Sequence, residues 1–317
     1  MQTALLFPGQ GSQRVGMGRD LALEFAIAKQ TYDEADAVLG FALSTLCFEG
    51  PEAELILTQN TQPAILTTSI AVFRVLRERG LAFDVVAGHS LGEWSALVAA
   101  GAISLADAVR LTHLRGSFMQ KAVPAGQGAM AAIMGIEPGA LRSMCEQESE
   151  PGEPVEIANL NGASQIVISG HAAAIDRAVD AAKTAGAKRA IKLAVSAPFH
   201  CSLMKPAADQ LAAALAGIEI ASPSVPVVAN VTATPTQDPA QIRALLIEQV
   251  TAPVRWEESV QAIAALGVTR AYELGSGSVL KGLIKRIAKS IETTTIGEPH
   301  EVKAFTPPTA APAAEPA

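Results

Sequence analysis

Ser90 sits in Gly88-His89-Ser90-Leu91-Gly92, the G-x-S-x-G spacing of a sharp strand-to-helix turn that exposes a serine hydroxyl for nucleophilic attack. Ser90 and Glu93 also match S-x-x-E, in which the serine merely caps a helix. A cap needs neither glycine, whereas the turn needs both, and 83–87 reads as the strand it must follow. The nucleophile is therefore favoured over the cap. The start of the following helix adds partial positive charge where an oxyanion would form.

A serine needs a base. Of the five histidines, His89 adjoins Ser90, His113 and His171 fall in or at the start of helices, and His300 is near the C-terminal end. His200, in "LAVSAPFHCSL" between a strand and a helix, remains by elimination. A helix-capping or packed histidine is the alternative. No Asp or Glu between Ser90 and His200 stands out as a third member, so a neutral group is expected to orient the imidazole.

Two further stretches bear on the chemistry. The loop "FPGQGSQRVGMG" does not fit G-x-G-x-x-G; it either places a backbone N–H, with Gln10 the candidate, beside that of Leu91 as an oxyanion hole, or is a plain glycine turn. Arg115 shares a helical face with Ala108, Leu111, Phe118 and Met119. A guanidinium there is either internally paired or a clamp for a substrate carboxylate. In "SVLKGLIKRIAKS", Lys281, Lys285 and Lys289 recur every four residues with Arg286 alongside. The default is a solvated face, and the alternative is a docking patch for an anionic partner or nucleotide phosphate.

These residues need a scaffold. The chain has 317 residues, 49% hydrophobic and only 4% aromatic, which suits helix-rich α/β layers with ample core. No run approaches the roughly 18 apolar residues of a membrane span, and no basic-flanked apolar leader is present, so a cytoplasmic protein is expected. A net charge of −7 disfavours nucleic-acid binding. Cys47, Cys145 and Cys201 form no CxxC pair, so neither a disulfide framework nor a zinc site is expected.

Periodicity predicts a strand at 3–7 and helices at 20–38 and 63–79. A strand, turn and helix then follow over 83–100, with another helix at 104–122. From 126 the order becomes β-α-β-β-α-β, with strands at 128–134, 155–159, 165–169 and 189–195 and helices at 138–148 and 172–185. After 198 strands and helices alternate again. The reading is a large α/β-hydrolase-like domain with a parallel sheet, made of 1–125 and 198–305, a ferredoxin-like subdomain at 126–197, and a disordered Pro/Ala-rich tail at 306–317.

Taken in order, "FPGQGSQ", "GHSLGE", the Arg115 helix, "NLNGASQIVISG", "SAPFHC", "APVRWEESV" and "ELGSGSVLKGLIKRI" closely resemble the malonyl-CoA:acyl-carrier-protein transacylase family over about residues 1–297. The resemblance implies that Ser90 becomes acylated, that His200 is the catalytic histidine, and that Gln249 orients it through its backbone carbonyl. It implies that Arg115 binds the malonyl carboxylate and that Gln10 and Leu91 supply the oxyanion-hole N–H groups. Phe199 is similar to the residue of malonyl-selective members. Malonyl-CoA and acyl carrier protein would be the partners, with no cofactor, metal, nucleic acid or membrane, and a monomer is expected. "GSGSVL" departs from the commoner G-P-G form, and "SAPFHC" has alanine where valine is frequent. A serine thioesterase with the same turn, or a non-catalytic carrier-docking module, are the rival functions.

Overall fold

Leu5 and Phe7 point to one side of the first strand and Ala4 and Leu6 to the other, yet all four are fully buried. An alternating pattern would leave one face wet; a continuous apolar strand requires cover on both. The computed structural model, which describes residues 2–162, 165–195 and 197–307, shows that cover. Leu5, Phe7 and Val86 belong to one apolar core, and Ala4, Leu6, Val85 and Ala87 to a second core on the opposite face.

The strands are β1 (Gln2–Phe7), β2 (Val85–Gly88), β3 (Gly128–Met134), β4 (Val155–Leu160), β5 (Gln165–His171), β6 (Arg189–Lys192), β7 (Val227–Val228), β8 (Pro235–Thr236), β9 (Val268–Leu274) and β10 (Glu292–Ile296). Six form one sheet in the order β10-β9-β1-β2-β7-β8, parallel except at the β7–β8 edge. The order reverses between β9 and β1, and in an open parallel sheet the crevice beyond such a point is where ligands bind. Phe7 pairs with Gly88 in register, which brings the loops after both strands together.

The other four strands make an antiparallel sheet, β4-β5-β3-β6, the strand order of a split βαβ unit. Its Ala131, Ile133, Ile157, Ile166 and Ile168 face the helices Pro138–Glu148 and Ala172–Thr184. Met130, Ala158 and Val167 on the same strands join the larger core instead. Leu160 N–H donates to Val254 O and Val254 N–H to Ala158 O, both 2.9 Å, which stitches β4 to the larger part.

Most expected elements are present, with shifts that have local causes. The helix expected at 20–38 is two, Arg19–Glu24 and Ala26–Leu39, because Phe25 is extended at φ −125° and ψ 115°. The helix expected from 63 begins at Thr58, with Pro63 inside it. Proline cannot donate to Gln59 O four residues back; His113 Nδ1 meets that carbonyl at 2.9 Å instead. The strand expected at 189–195 stops at Lys192, and Leu193 and Val195 line a cavity. Short helices at Leu43–Glu49, Glu52–Leu55 and Pro299–Ala304 were not foreseen. The expected disordered tail lies, from 308 on, outside the described residues, as do Ala163, Ser164 and Ser196 of the quoted motifs.

Candidate active site

The turn at Ser90 is built by exclusion. A Cβ on Gly88 would lie 1.9 Å from the Gly92 backbone, and one on Gly92 would lie 2.0 Å from Phe7 O. Nothing larger than glycine fits at either place. Ser90 itself holds φ +52°, a left-handed conformation costly for a residue with a side chain. The strain turns its hydroxyl away from the helix Gly92–Ala99, whose N-cap is Leu91 and which receives no side-chain cap. Ser90 Oγ lies 2.7 Å from His200 Nε2. Glu93 does not cap either; its Oε2 accepts from Asn230 N–H at 2.9 Å and from Gln249 Nε2 at 2.8 Å.

His200 is 3% exposed and also has positive φ, +61°. Its Nδ1 is 2.8 Å from Gln249 O. A carbonyl only accepts, so Nδ1 carries the hydrogen and Nε2 presents its lone pair to Ser90. Burial and the Arg115 charge hold the imidazole pKa down at about 3. The pair at neutral pH is thus an alcohol hydrogen-bonded to a neutral base, with a backbone carbonyl where a hydrolase usually has a carboxylate.

Arg115 lies on the buried face of the helix Leu105–Ala122, one turn from Leu111 and from Met119. That helix can approach Thr58–Glu78 because a side chain at Gly116 would meet Thr58 O at 2.5 Å. The approach brings Arg115 Nη1 within 2.6 Å of Gln62 Oε1. Nη2 donates to Gln249 Oε1 at 3.0 Å and lies 3.5 Å from Ser90 Oγ, while the buried Nε has no partner among the described residues. Burial lowers the guanidinium to about 10, with Glu93 opposing, so it is charged at neutral pH, and among the described residues it pairs with no carboxylate.

The loop after β1 presses on the turn, for a Cβ at Gly9 would stand 2.4 Å from His89 O. Gln10 and Leu91 both line the same cavity as Ser90, and neither backbone N–H meets a backbone acceptor among the described residues. The cavity holds about 130 Å³, with Arg115, His200 and Gln62 as further polar walls. Met119, Met130, Leu193, Val195 and Phe199 supply the apolar ones, so both sheets contribute.

Among the described residues no three or more His, Cys, Asp or Glu gather as metal ligands would. Cys201, next to His200, directs its thiol to Pro198 O at 3.1 Å, and burial pushes its pKa up to about 11, which leaves it no thiolate to attack with. Lys281, Lys285 and Lys289 line a separate cavity of about 330 Å³ with Ile291 and Thr293. Arg286 leaves that row and donates to Gln165 Oε1 at 3.0 Å. None of the four lines the Ser90 cavity. No helix among the described residues is long and apolar enough to cross a membrane.

Asn230 was missed by sequence reasoning. It is fully buried; its Oδ1 accepts from Ser90 N–H and its Nδ2 donates to Gly88 O, both at 2.7 Å. The signal was available, since it follows a strand at the carboxyl edge of the parallel sheet. Gln62 gave no such signal, lying in an otherwise ordinary helix.

Residues 4–303 match the acyl transferase domain family. The chain is 50% identical over 300 residues to the malonyl CoA-acyl carrier protein transacylase of Bacillus subtilis strain 168, covering 95% of each. It is 50% identical over 304 residues to the transacylase of the same name from Escherichia coli K12, covering 96% of this chain and 98% of that protein. The acyl-carrier-protein-S-malonyltransferase of Bartonella henselae superposes with a TM-score of 0.93 at 48% identity, over 96% of this chain and 98% of that one. A malonyl-transacylase solved in complex with a type II PKS acyl-carrier protein superposes equally well, with a TM-score of 0.93 at 47% identity over 96% of this chain and 98% of that one. Full-length likeness at this identity, on a fold that pairs a strained serine with a buried histidine and arginine, makes the chain a member of the malonyl CoA-acyl carrier protein transacylase family of acyl transferases.

Proposed function

We propose that the protein transfers a malonyl group from malonyl-CoA to the phosphopantetheine thiol of acyl carrier protein through a malonyl ester on Ser90, supplying fatty-acid or polyketide chain extension. The observation that carries this reading is Arg115, a buried cation in the cavity that holds the Ser90–His200 pair, whose partners among the described residues are neutral oxygens. A substrate carboxylate would supply its missing counter-charge by the two-pronged bonding arginine favours.

His200 Nε2 takes the Ser90 proton as Oγ attacks the thioester carbonyl. The N–H groups of Gln10 and Leu91 hold the tetrahedral oxyanion. Its collapse breaks the C–S bond, and His200 returns the proton to the leaving coenzyme A sulfur. The carrier thiol then gives its proton to His200 and attacks the malonyl ester; collapse breaks the bond between the acyl carbon and Ser90 Oγ, and His200 returns the proton to Oγ. Gln249 O keeps the imidazole in the tautomer both halves need. These steps use only the chain's own groups and two substrates. Lys281, Lys285 and Lys289, with Arg286 beside them, form a cationic docking face for the anionic carrier or coenzyme, apart from the chemistry. We read the protein as a cytoplasmic monomer.

Incubation with malonyl-CoA, with and without holo acyl carrier protein, tests this. Malonyl-carrier should form, with little free malonate when carrier is absent. Comparable malonate release without carrier would make the protein a thioesterase.

A further inference from the structure

We propose that Glu93 is a positioning residue for acyl transfer, its buried carboxylate tying Asn230 and Gln249 together so that the Ser90 turn, His200 and Arg115 are held in one register. The proposal rests on the transfer reading only for the identity of the acyl group.

Glu93 is 3% exposed and makes no direct ion pair among the described residues, although a buried carboxylate is costly. Its two donors explain why it is there. Asn230 gives its backbone N–H to Glu93 and uses both side-chain ends on the turn, accepting from Ser90 N–H and donating to Gly88 O. The strained Ser90 backbone is thus clamped by a residue that Glu93 fixes. Gln249 stands between two charges. Its Oε1 accepts from Arg115 and its Nε2 donates to Glu93 and, at 3.1 Å, to Ser90 O.

A guanidinium only donates and a carboxylate only accepts, so the two charges dictate which way the Gln249 amide faces. The same residue's backbone carbonyl holds His200. A neutral side chain at 93 would let that amide turn over. It would also leave Arg115 without the one carboxylate whose field supports its charge. The charged or titratable neighbours of Glu93 are Arg115, and beyond Gln249 and the turn, His200 and His89. Burial keeps both histidines on the neutral side, which leaves Glu93 the group that titrates near neutrality, its carboxyl pushed up to about 7 by burial.

The test compares wild type with Glu93→Gln from about pH 8 down to about pH 5.5. Two rates are followed: Ser90 acylation by malonyl-CoA, and Ser90 labelling by a fluorophosphonate probe, which needs the turn and His200 but no malonyl group. Near pH 8 the variant should be slower by about 10- to 100-fold, the worth of a hydrogen bond to a charged group. That ratio should shrink toward one as the pH falls and wild-type Glu93 becomes neutral. An equal rate at the alkaline end, or a deficit that does not change with pH, overturns the proposal. Should the variant not fold, the wild-type labelling profile alone decides, since the absence of an acid limb over that range equally overturns it. If the probe shows the pH-dependent deficit while malonyl-CoA never acylates wild type, the transfer reading fails and the Glu93 assignment stands.

Discussion

Ser90 Oγ and His200 Nε2 are 2.7 Å apart across 110 positions of sequence, and each residue holds a left-handed backbone, φ +52° and +61°. Two side-chain-bearing residues held in such conformations, meeting at their functional atoms, need a surround that leaves them no other arrangement.

Gly88→Ala tests that surround. The added methyl would meet the Gly92 backbone at 1.9 Å, and backbone cannot swing aside as a side chain tip can. We expect a loss of about 3 kcal/mol, the upper end for overpacking, read as a lower urea midpoint at unchanged slope. An unchanged midpoint would mean the turn is looser than described.

Arg115→Ala should cut kcat/KM for malonyl-CoA by about 30-fold or more, the cost of truncating one side of a buried charge pair, with acetyl-CoA affected far less. Arg115→Lys keeps the charge without the fork and should recover only part. A malonyl preference that survives either change contradicts the clamp.

Gln249→Ala separates the two halves of that residue. The backbone carbonyl on His200 stays, while the side-chain bonds to Arg115, Glu93 and Ser90 O go. Two buried charges lose a partner, so stability should fall by about 1–3 kcal/mol and KM for malonyl-CoA should rise. A fall in kcat alone, with KM unchanged, would place the side chain's role elsewhere.

His200 and Glu93 make opposite contributions to stability against pH. His200 is lowered to about 3 in the fold, so the unfolded chain binds the extra proton below the ordinary 6.5, and stability is lost as pH falls through that window. Glu93 is raised from 4.5 to about 7, so its folded form binds the extra proton, and stability is lost as pH rises from 4.5 to 7. The drop in Tm from about pH 7 to about pH 5 should therefore be smaller in His200→Gln than in wild type, and larger in Glu93→Gln. The reverse order would contradict both assignments.

Charge reversal at Lys281 and Lys285 should raise KM for carrier protein several-fold at low salt and less at high salt. The lysines line a cavity that shares no residue with the Ser90 site. No change in the carrier KM would leave them as solvated surface.

The residues of the candidate site were largely legible because each carries a backbone or burial constraint. Gly88 and Gly92 mark the turn, and Arg115 interrupts an apolar helical face. What binds them together was not. Asn230, Gln62 and the buried carboxylate of Glu93 act across 140, 53 and 137 positions, through contacts that no local period records. Glu93 was the more misleading because its S-x-x-E spacing from Ser90 fits a helix cap that neither residue makes. In the fold, long periodic elements were plain, while Phe25 split one helix through backbone geometry that hydrophobic spacing does not register, and another ran through Pro63 to begin at Thr58.

On the proposed mechanism, Ser90 carries the acyl group between the two substrates. Brief incubation with malonyl-CoA, digestion and mass spectrometry address it directly. A malonyl adduct is expected on the Ser90 peptide, discharged by holo acyl carrier protein and absent in Ser90→Ala. An adduct on another residue, or persistence of transfer in Ser90→Ala, would contradict it.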